Sequence, residues 1–171
     1  MQDAKCDLVL MGTIVKDTTL ILQTARKSAF TPVFCGNFAS YSTAVAETPG
    51  EPADGFFSMA PALYRYPDDP TPAVQDVCKR YRAKYGFDIN YLGEAGISCA
   101  SFVVDALKKA GRDLTLDSFV GALESMKDWR DVFGGPALSM SATNHHASNQ
   151  SFLSVIKGSR WVPVVETALS Y

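Results

Sequence analysis

Residues 7–12 read D-L-V-L-M-G, a short unbroken apolar run closed by glycine, and the chain then changes to helical spacing over T-I-V-K-D-T-T-L-I-L-Q-T-A-R-K at 13–27. A short apolar run bounded by a turn residue is the pattern of a parallel strand buried on both faces. From about Asp17 to Lys27, Leu20, Ile21 and Ala25 recur on one helix face, with Asp17 or Thr18 placed to cap the first amides. The unit then repeats. F-T-P-V-F-C-G at 30–36 is a second apolar run, a small helical stretch occupies 42–47, and G-F-F-S-M-A-P at 55–61 is a third run. Such alternation predicts an α/β fold, a mainly parallel sheet covered by helices.

Beyond the third run the pattern changes. Y-R-Y-P-D-D-P-T-P at 64–72 has no apolar period and reads as a connection and a lobe boundary. Thr71 as N-cap, Pro72 in the first turn and Gly86 as stop then frame a helix whose face is Val74, Val77, Cys78, Tyr81 and Tyr85. A second helix is predicted over about 95–110, with Ile97, Ala100, Val104 and Leu107 inward, Lys108 and Lys109 at its negative end, and Gly111 as terminator. A third is predicted over about 116–126. G-G-P at 134–136 breaks the pattern, and apolar runs at 151–156 and 161–165 flank K-G-S, a hairpin turn. Three successive helices inside a strand–helix chain imply that the chain leaves one lobe near Tyr64, supplies helices to another, and returns near Asn149.

Composition narrows the function classes. With 47% hydrophobic and 20% charged residues, the 171-residue chain falls in the range of a globular domain. Sixteen basic against eighteen acidic residues give a net charge of −2, without the basic excess that nucleic acid or anionic lipid selects. No nucleic-acid partner is expected. No apolar run exceeds four residues, against the ~20 of a membrane-spanning helix. The opening M-Q-D-A-K-C-D-L-V-L-M-G lacks the marks of a secretory signal.

Reactive and metal-binding patterns are sparse. Cys6, Cys35, Cys78 and Cys99 have no C-x-x-C spacing, so they read as buried thiols, with a Cys78–Cys99 bridge left open. His145 and His146 are adjacent, with no ligand-spaced partner, and read as a hydrogen-bonded loop; no metal site and no cofactor is expected. G-I-S-C-A at 96–100 lacks the G-x-S-x-G elbow and falls within a predicted helix, so Ser98 and Cys99 read as packing residues and no catalytic residue is assigned. The glycine patterns of dinucleotide and triphosphate sites are absent. Lys79, Arg80, Arg82 and Lys84 are spread around a helix and read as its solvated face.

The ordered segments C-D-L-V-L-M-G, T-I-V-K-D-T-T, T-P-V-F-C-G-N-F, A-D-G-F-F-S-M, Q-D-V-C-K-R-Y-R-A-K-Y-G-F-D-I-N-Y, F-V-V-D-A-L-K-K-A-G and N-H-H-A-S-N-Q-S-F-L-S-V-I-K-G-S-R-W-V-P-V together carry a family likeness over nearly the whole chain. The chain resembles the C-terminal portion of a periplasmic solute-binding protein of the leucine/isoleucine/valine type, the extracytoplasmic receptor of an ABC importer. The resemblance implies a truncated two-lobe fold of the type I periplasmic binding kind. Residues 1–62 and 148–171 would belong to the C-terminal lobe and residues 63–147 to the N-terminal lobe, with hinge crossings near 62–70 and 140–150. It implies hinge closure on a small ligand without chemistry, a membrane permease as partner, a periplasmic location, and a signal peptide and first part lying upstream of Met1. A ligand-sensing regulatory domain of the same fold is the alternative. A piece of such a fold would expose faces and strand edges, so self-association is expected.

Ligands of open parallel sheets bind beyond the carboxyl ends of the strands, which points to the loops after Gly12, Gly36 and Pro61. The candidate contacts there are Thr13, Ile14, Asp17, Asn37 and Phe38, with Tyr91 and Glu94 at the entry to the second helix as further candidates. The resemblance to the leucine-binding branch places an aromatic contact at Ile14 and an ammonium-binding carboxylate at Phe38, and this chain has neither residue type. An unpaired ammonium costs several kcal/mol to desolvate. Unless Asp17 or Glu94 substitutes, an apolar or aromatic acid rivals an amino acid as ligand, with Phe38 stacking on its ring and Asn37 bonding its polar group.

Overall fold

The structure is a computed structural model that describes residues 1–48, 50 and 53–170. Its contacts divide into two units: Met1–Leu63 with Ser151–Leu169, and Tyr64–Gln150 with Ser170.

Unit 1 is built on strands β1 (Leu8–Met11), β2 (Val33–Gly36), β3 (Phe57–Ala60), β4 (Gln150–Lys157) and β5 (Arg160–Pro163), hydrogen-bonded in that order, with the short β6 (Leu169–Ser170) paired to β4. The first three strands are mutually parallel, Val9 pairing with Phe34 and Cys35 with Phe57. β4 returns antiparallel to β3 and turns through Gly158 and Ser159, both at positive φ, into antiparallel β5. The K-G-S hairpin is therefore formed, and the sheet is parallel at one end and antiparallel at the other.

Pairing sets which side chains share a face. Val9, Met11, Phe34, Ala60, Phe152 and Ile156 point to one side and are buried there, together with Leu22 and Ala25 of helix α1 (Val15–Lys27) and Val45 and Ala46 of α2 (Thr43–Ala46). Leu8, Leu10 and Val33 point to the other side and are exposed, Leu10 by 75%. The expectation of a strand buried on both faces is thus corrected: β1 alternates, because the described helices cover one side of it only. The inward face of α1 is also corrected. Thr18, Leu22 and Ala25 are buried, whereas Leu20 is exposed.

Unit 2 contains α3 (Pro72–Tyr85), α4 (Tyr91–Ala110) and α5 (Leu116–Glu124). Thr71 precedes α3, Pro72 opens it and Gly86 closes it in the left-handed conformation, φ 82°, that glycine adopts without a Cβ penalty. Val74, Cys78, Ile89 and Phe133 form its buried core, with Val77, Tyr81, Ile97 and Val132 packed around them. Asn90 caps α4 through a 2.9 Å hydrogen bond from the Gly93 N–H, so the helix starts four residues before the predicted Ala95. A reciprocal Thr115–Ser118 capping box starts α5, which ends at Glu124 rather than Met126. The predicted inward face of α4 is corrected as well: Ala100, Val104 and Leu107 are exposed, while Tyr91, Glu94 and Ala106 are buried. Tyr85 on α3 is exposed too. All four cysteines are free, which removes the Cys78–Cys99 bridge. Among the described residues no helix is long and apolar enough to cross a membrane.

The two faces of the sheet predict opposite responses to truncation. Ile156→Ala, on the covered side, should lower unfolding stability by about 2–5 kcal/mol. Leu10→Ala on the open side should change it by less than ~0.5 kcal/mol in the same urea titration.

Candidate functional site

The carboxyl ends of β1, β2 and β3 open into a depression of about 370 Å³. Leu10, Met11 and Gly12 line it from β1 and the residue beyond, Cys35, Gly36 and Asn37 from the end of β2, and Met59 from β3. No charged side chain lines it among the described residues. Burial pushes the Cys35 thiol up, which favours its neutral form.

Two turns shape the rim. At the first, Ile14 is the N-cap of α1 and supplies no side-chain cap; neither Asp17 nor Thr18 takes that role. Asp17 lies exposed in the first turn, where its charge suits the positive end of the helix. Thr18 is fully buried and exchanges a 2.7 Å hydroxyl hydrogen bond with Thr13, which fixes the loop between β1 and α1. Ile14 is left exposed.

At the second turn, Asn37 starts a short 3-10 turn over Phe38–Ser40, its Oδ1 accepting the Ala39 N–H at 3.2 Å. The Asn37 carbonyl accepts both the Ser40 and the Ser58 hydroxyls at 2.7 Å. Gly36 is a steric requirement here: a Cβ would lie 2.2 Å from Ser40 Oγ and 2.6 Å from Phe56 Cζ. The turn projects the Phe38 ring outward, 58% exposed. Among the described residues nothing accepts from Asn37 Nδ2.

The structure therefore gathers Thr13, Ile14 and Asp17 at the start of α1 and Asn37 and Phe38 on the 3-10 turn that packs against it. Pro61 does not line the depression; Met59, two residues earlier, does. Leu10, Met11, Cys35 and Met59 are lining residues that the sequence reading missed, and their signal is position alone, at the carboxyl ends of apolar runs.

Tyr91 and Glu94 belong to unit 2. Both are buried and present almost no surface to a ligand. Glu94 accepts the Arg65 backbone N–H at 3.1 Å. Burial first, then the charges of Asp131 and Asp69, raise the Glu94 carboxyl to about 8 against the opposing pull of Arg65. Nearby, Ser98 donates to Asp131, whose other oxygen accepts the Gly135 N–H at 3.1 Å. That bond ties α4 to the loop beyond α5 and employs Ser98 in packing. His145 bonds Glu124 at 3.0 Å, and no metal-binding group of His, Cys, Asp or Glu occurs among the described residues.

Comparison with known proteins follows the same lines. A family model described as periplasmic binding protein matches residues 1–160. No curated protein sequence matches the chain. Among solved structures, a branched-chain amino acid ABC transporter protein from Thermus thermophilus with bound valine superposes with TM-score 0.85 at 18% identity, over 99% of this chain and 47% of that one. A fatty acid ABC transporter substrate-binding protein from Thermomonospora curvata gives TM-score 0.77 at 24% identity, over 99% and 45%. An ABC transporter solute-binding protein from R. palustris in complex with benzoate gives 0.73 at 16%, over 99% and 46%. At these identities the likeness is one of fold, and the chain spans about half the length of the solved structures it matches.

The crowding at Gly36 yields a prediction. Gly36→Ala should lower stability by about 1–3 kcal/mol through overpacking against Ser40 and Phe56. The Asn37 and Phe38 amide resonances should shift, while those of unit 2 stay in place.

Proposed function

Because the chain belongs to the periplasmic binding protein family, we propose that it supplies one wall of the ligand cleft of an extracytoplasmic solute receptor of an ABC importer. Its solute is an amino acid or a small organic acid, aromatic acids included, held without covalent chemistry and passed to a membrane permease. The observation that carries this reading is the depression at the carboxyl ends of β1–β3, flanked by two turns that hold Ile14 and Phe38 out of the core. That is where open α/β sheets bind ligands. Residues near 62–70 and 140–150 would be hinge crossings of the intact receptor.

The chemistry of the wall favours an acid with an apolar body. Its lining is aliphatic and thioether carbon with the Cys35 thiol, and Phe38 offers an exposed ring face for stacking. Asn37 Nδ2 can donate to a carboxylate or hydroxyl. An ammonium would meet no counter-charge on the lining, and Asp17, exposed on the first turn of α1 that follows the carboxyl end of β1, is the carboxylate left to answer it. Thr13 holds the loop that carries Ile14 and Asp17. We assign Tyr91 and Glu94 to the internal packing of unit 2.

Calorimetric titration of the full-length receptor, both walls present, with benzoate, a medium-chain fatty acid and valine tests this directly. Heat of saturable binding with the ligand recovered unchanged is expected, and Phe38→Ala should weaken benzoate about two- to tenfold without moving the unfolding midpoint. Turnover of any of the three would end the binding-only reading.

We also propose that the chain by itself associates with further copies. The exposed Leu8, Leu10 and Val33 in unit 1 and Leu92, Val103, Val104 and Leu107 in unit 2 support this, as does the edge of β1, which pairs with β2 alone among the described residues. Light scattering over a dilution series should read a mass above one chain at the concentrated end. A single-chain mass throughout rules it out.

A further inference from the structure

Glu94 lies in the first turn of α4, where a carboxylate suits the helix dipole without being buried. Its side chain is nonetheless only 3% exposed. One oxygen accepts the Arg65 N–H, and the other, Oε1, is buried with no partner among the described residues. An ionised carboxylate in this setting leaves charge desolvated on an unpaired atom, whereas a protonated one leaves a neutral polar atom, which costs far less. The charged and titratable groups that face it come from three elements. They are Arg65 and Asp69 on the proline-rich segment, Asp131 on the loop beyond α5, and Cys78 on α3. Arg65 is not Glu94's alone, since its guanidinium also donates to the Phe133 carbonyl at 2.9 Å and to Asp69 at 3.3 Å.

We propose that Glu94 is kept as a neutral carboxylic acid and works as a pH-sensitive catch, fastening the Tyr64–Arg65 segment to α4 when protonated and releasing it on ionisation. Tyr64 is the first residue of unit 2, and its hydroxyl donates to the Ile89 carbonyl at 2.6 Å, one residue before the Asn90 cap. Arg65 follows, its N–H on Glu94 and its side chain on Phe133 and Asp69. The catch therefore sits where several attachments of one short segment converge.

The sign follows from linkage. A carboxyl whose pKa is raised on folding, here to about 8, stabilises the closed form fully below its unfolded value and loses that contribution as pH climbs to the folded value. Across that interval the open form gains about tenfold in population per pH unit, and it levels off above about pH 8.

Amide hydrogen exchange on the full chain, corrected for intrinsic rate, reads this. Protection of the Arg65 amide should fall about tenfold per unit between about pH 5.5 and 7.5 and then flatten, and in Glu94→Gln it should stay level across the series. The carboxyl 13C shift of Glu94 in the unaltered protein gives a reading independent of whether the variant folds, with a midpoint near 8 expected. A midpoint below about 5, the ordinary carboxylate range, or a Glu94→Gln slope equal to the wild type's, overturns the proposal.

Discussion

Gly36 leaves no room for a side chain, and much of the candidate wall depends on that close approach. Ser40 and Phe56 occupy the space that a Cβ at Gly36 would need, and the Asn37 carbonyl accepts from two buried residues' hydroxyls. Ser58 sits on β3 and Ser40 on the 3-10 turn, so the pair of bonds locks the turn onto the neighbouring strand. Farther along, Trp161 of β5 donates to the Ser42 carbonyl at 3.0 Å and packs its ring on Tyr41 and Phe56. The antiparallel end of the sheet thus braces the same corner. Phe38, on the turn so held, stays exposed.

Legibility in the sequence varied with how local the cause is. Helix α3 is fixed by residues within its own ends, Thr71, Pro72 and Gly86, and those are readable without any tertiary contact. The hairpin at Lys157–Arg160 is equally local, as Gly158 and Ser159 both adopt positive φ. The inward face of α4 is not local. Apolar residues occupy more than one side of this helix, so periodicity finds stripes without deciding which is covered: Ile97 packs on the core, while Val104 and Leu107 stay exposed. Four apolar residues in β1 likewise do not say that only Val9 and Met11 have a covering layer.

The positions at the strand ends were readable from topology alone, since a parallel strand leading into a helix puts its loop at the sheet's carboxyl edge. What a one-dimensional reading cannot supply is the chemistry around them. Met59 joins the lining because β3 pairs with β2, Cys35 opposite Phe57, which puts Met59 two residues farther along the same face, and not because of any motif. Glu94 carries the opposite lesson. In sequence it is an acidic residue in a helix's first turn, a pattern that normally signals a solvated cap partner, and only the packing of Arg65 and Phe133 reveals it as buried. Asp69 in the same neighbourhood shows how finely such settings divide. Burial works to raise it, but the Thr71 hydrogen bonds and the Arg65 charge together outweigh burial and hold it below the usual range.

The uncovered apolar residues bear on binding as well as on stability. Each of Leu8, Leu10 and Val33 forgoes part of the about 1.5–3 kcal/mol that full burial of such a side chain supplies, and the same holds for Val103, Val104 and Leu107 in unit 2. Solved structures of this fold contain about as much chain again, enough to place a further layer on such faces. Anything that covers the open side of β1 and β2 stabilises the strands whose ends form the depression, because it binds the folded form and not the unfolded one. A wall populated only in part lowers the apparent affinity by the fraction populated. Solute affinity and coverage of the sheet are therefore linked quantities.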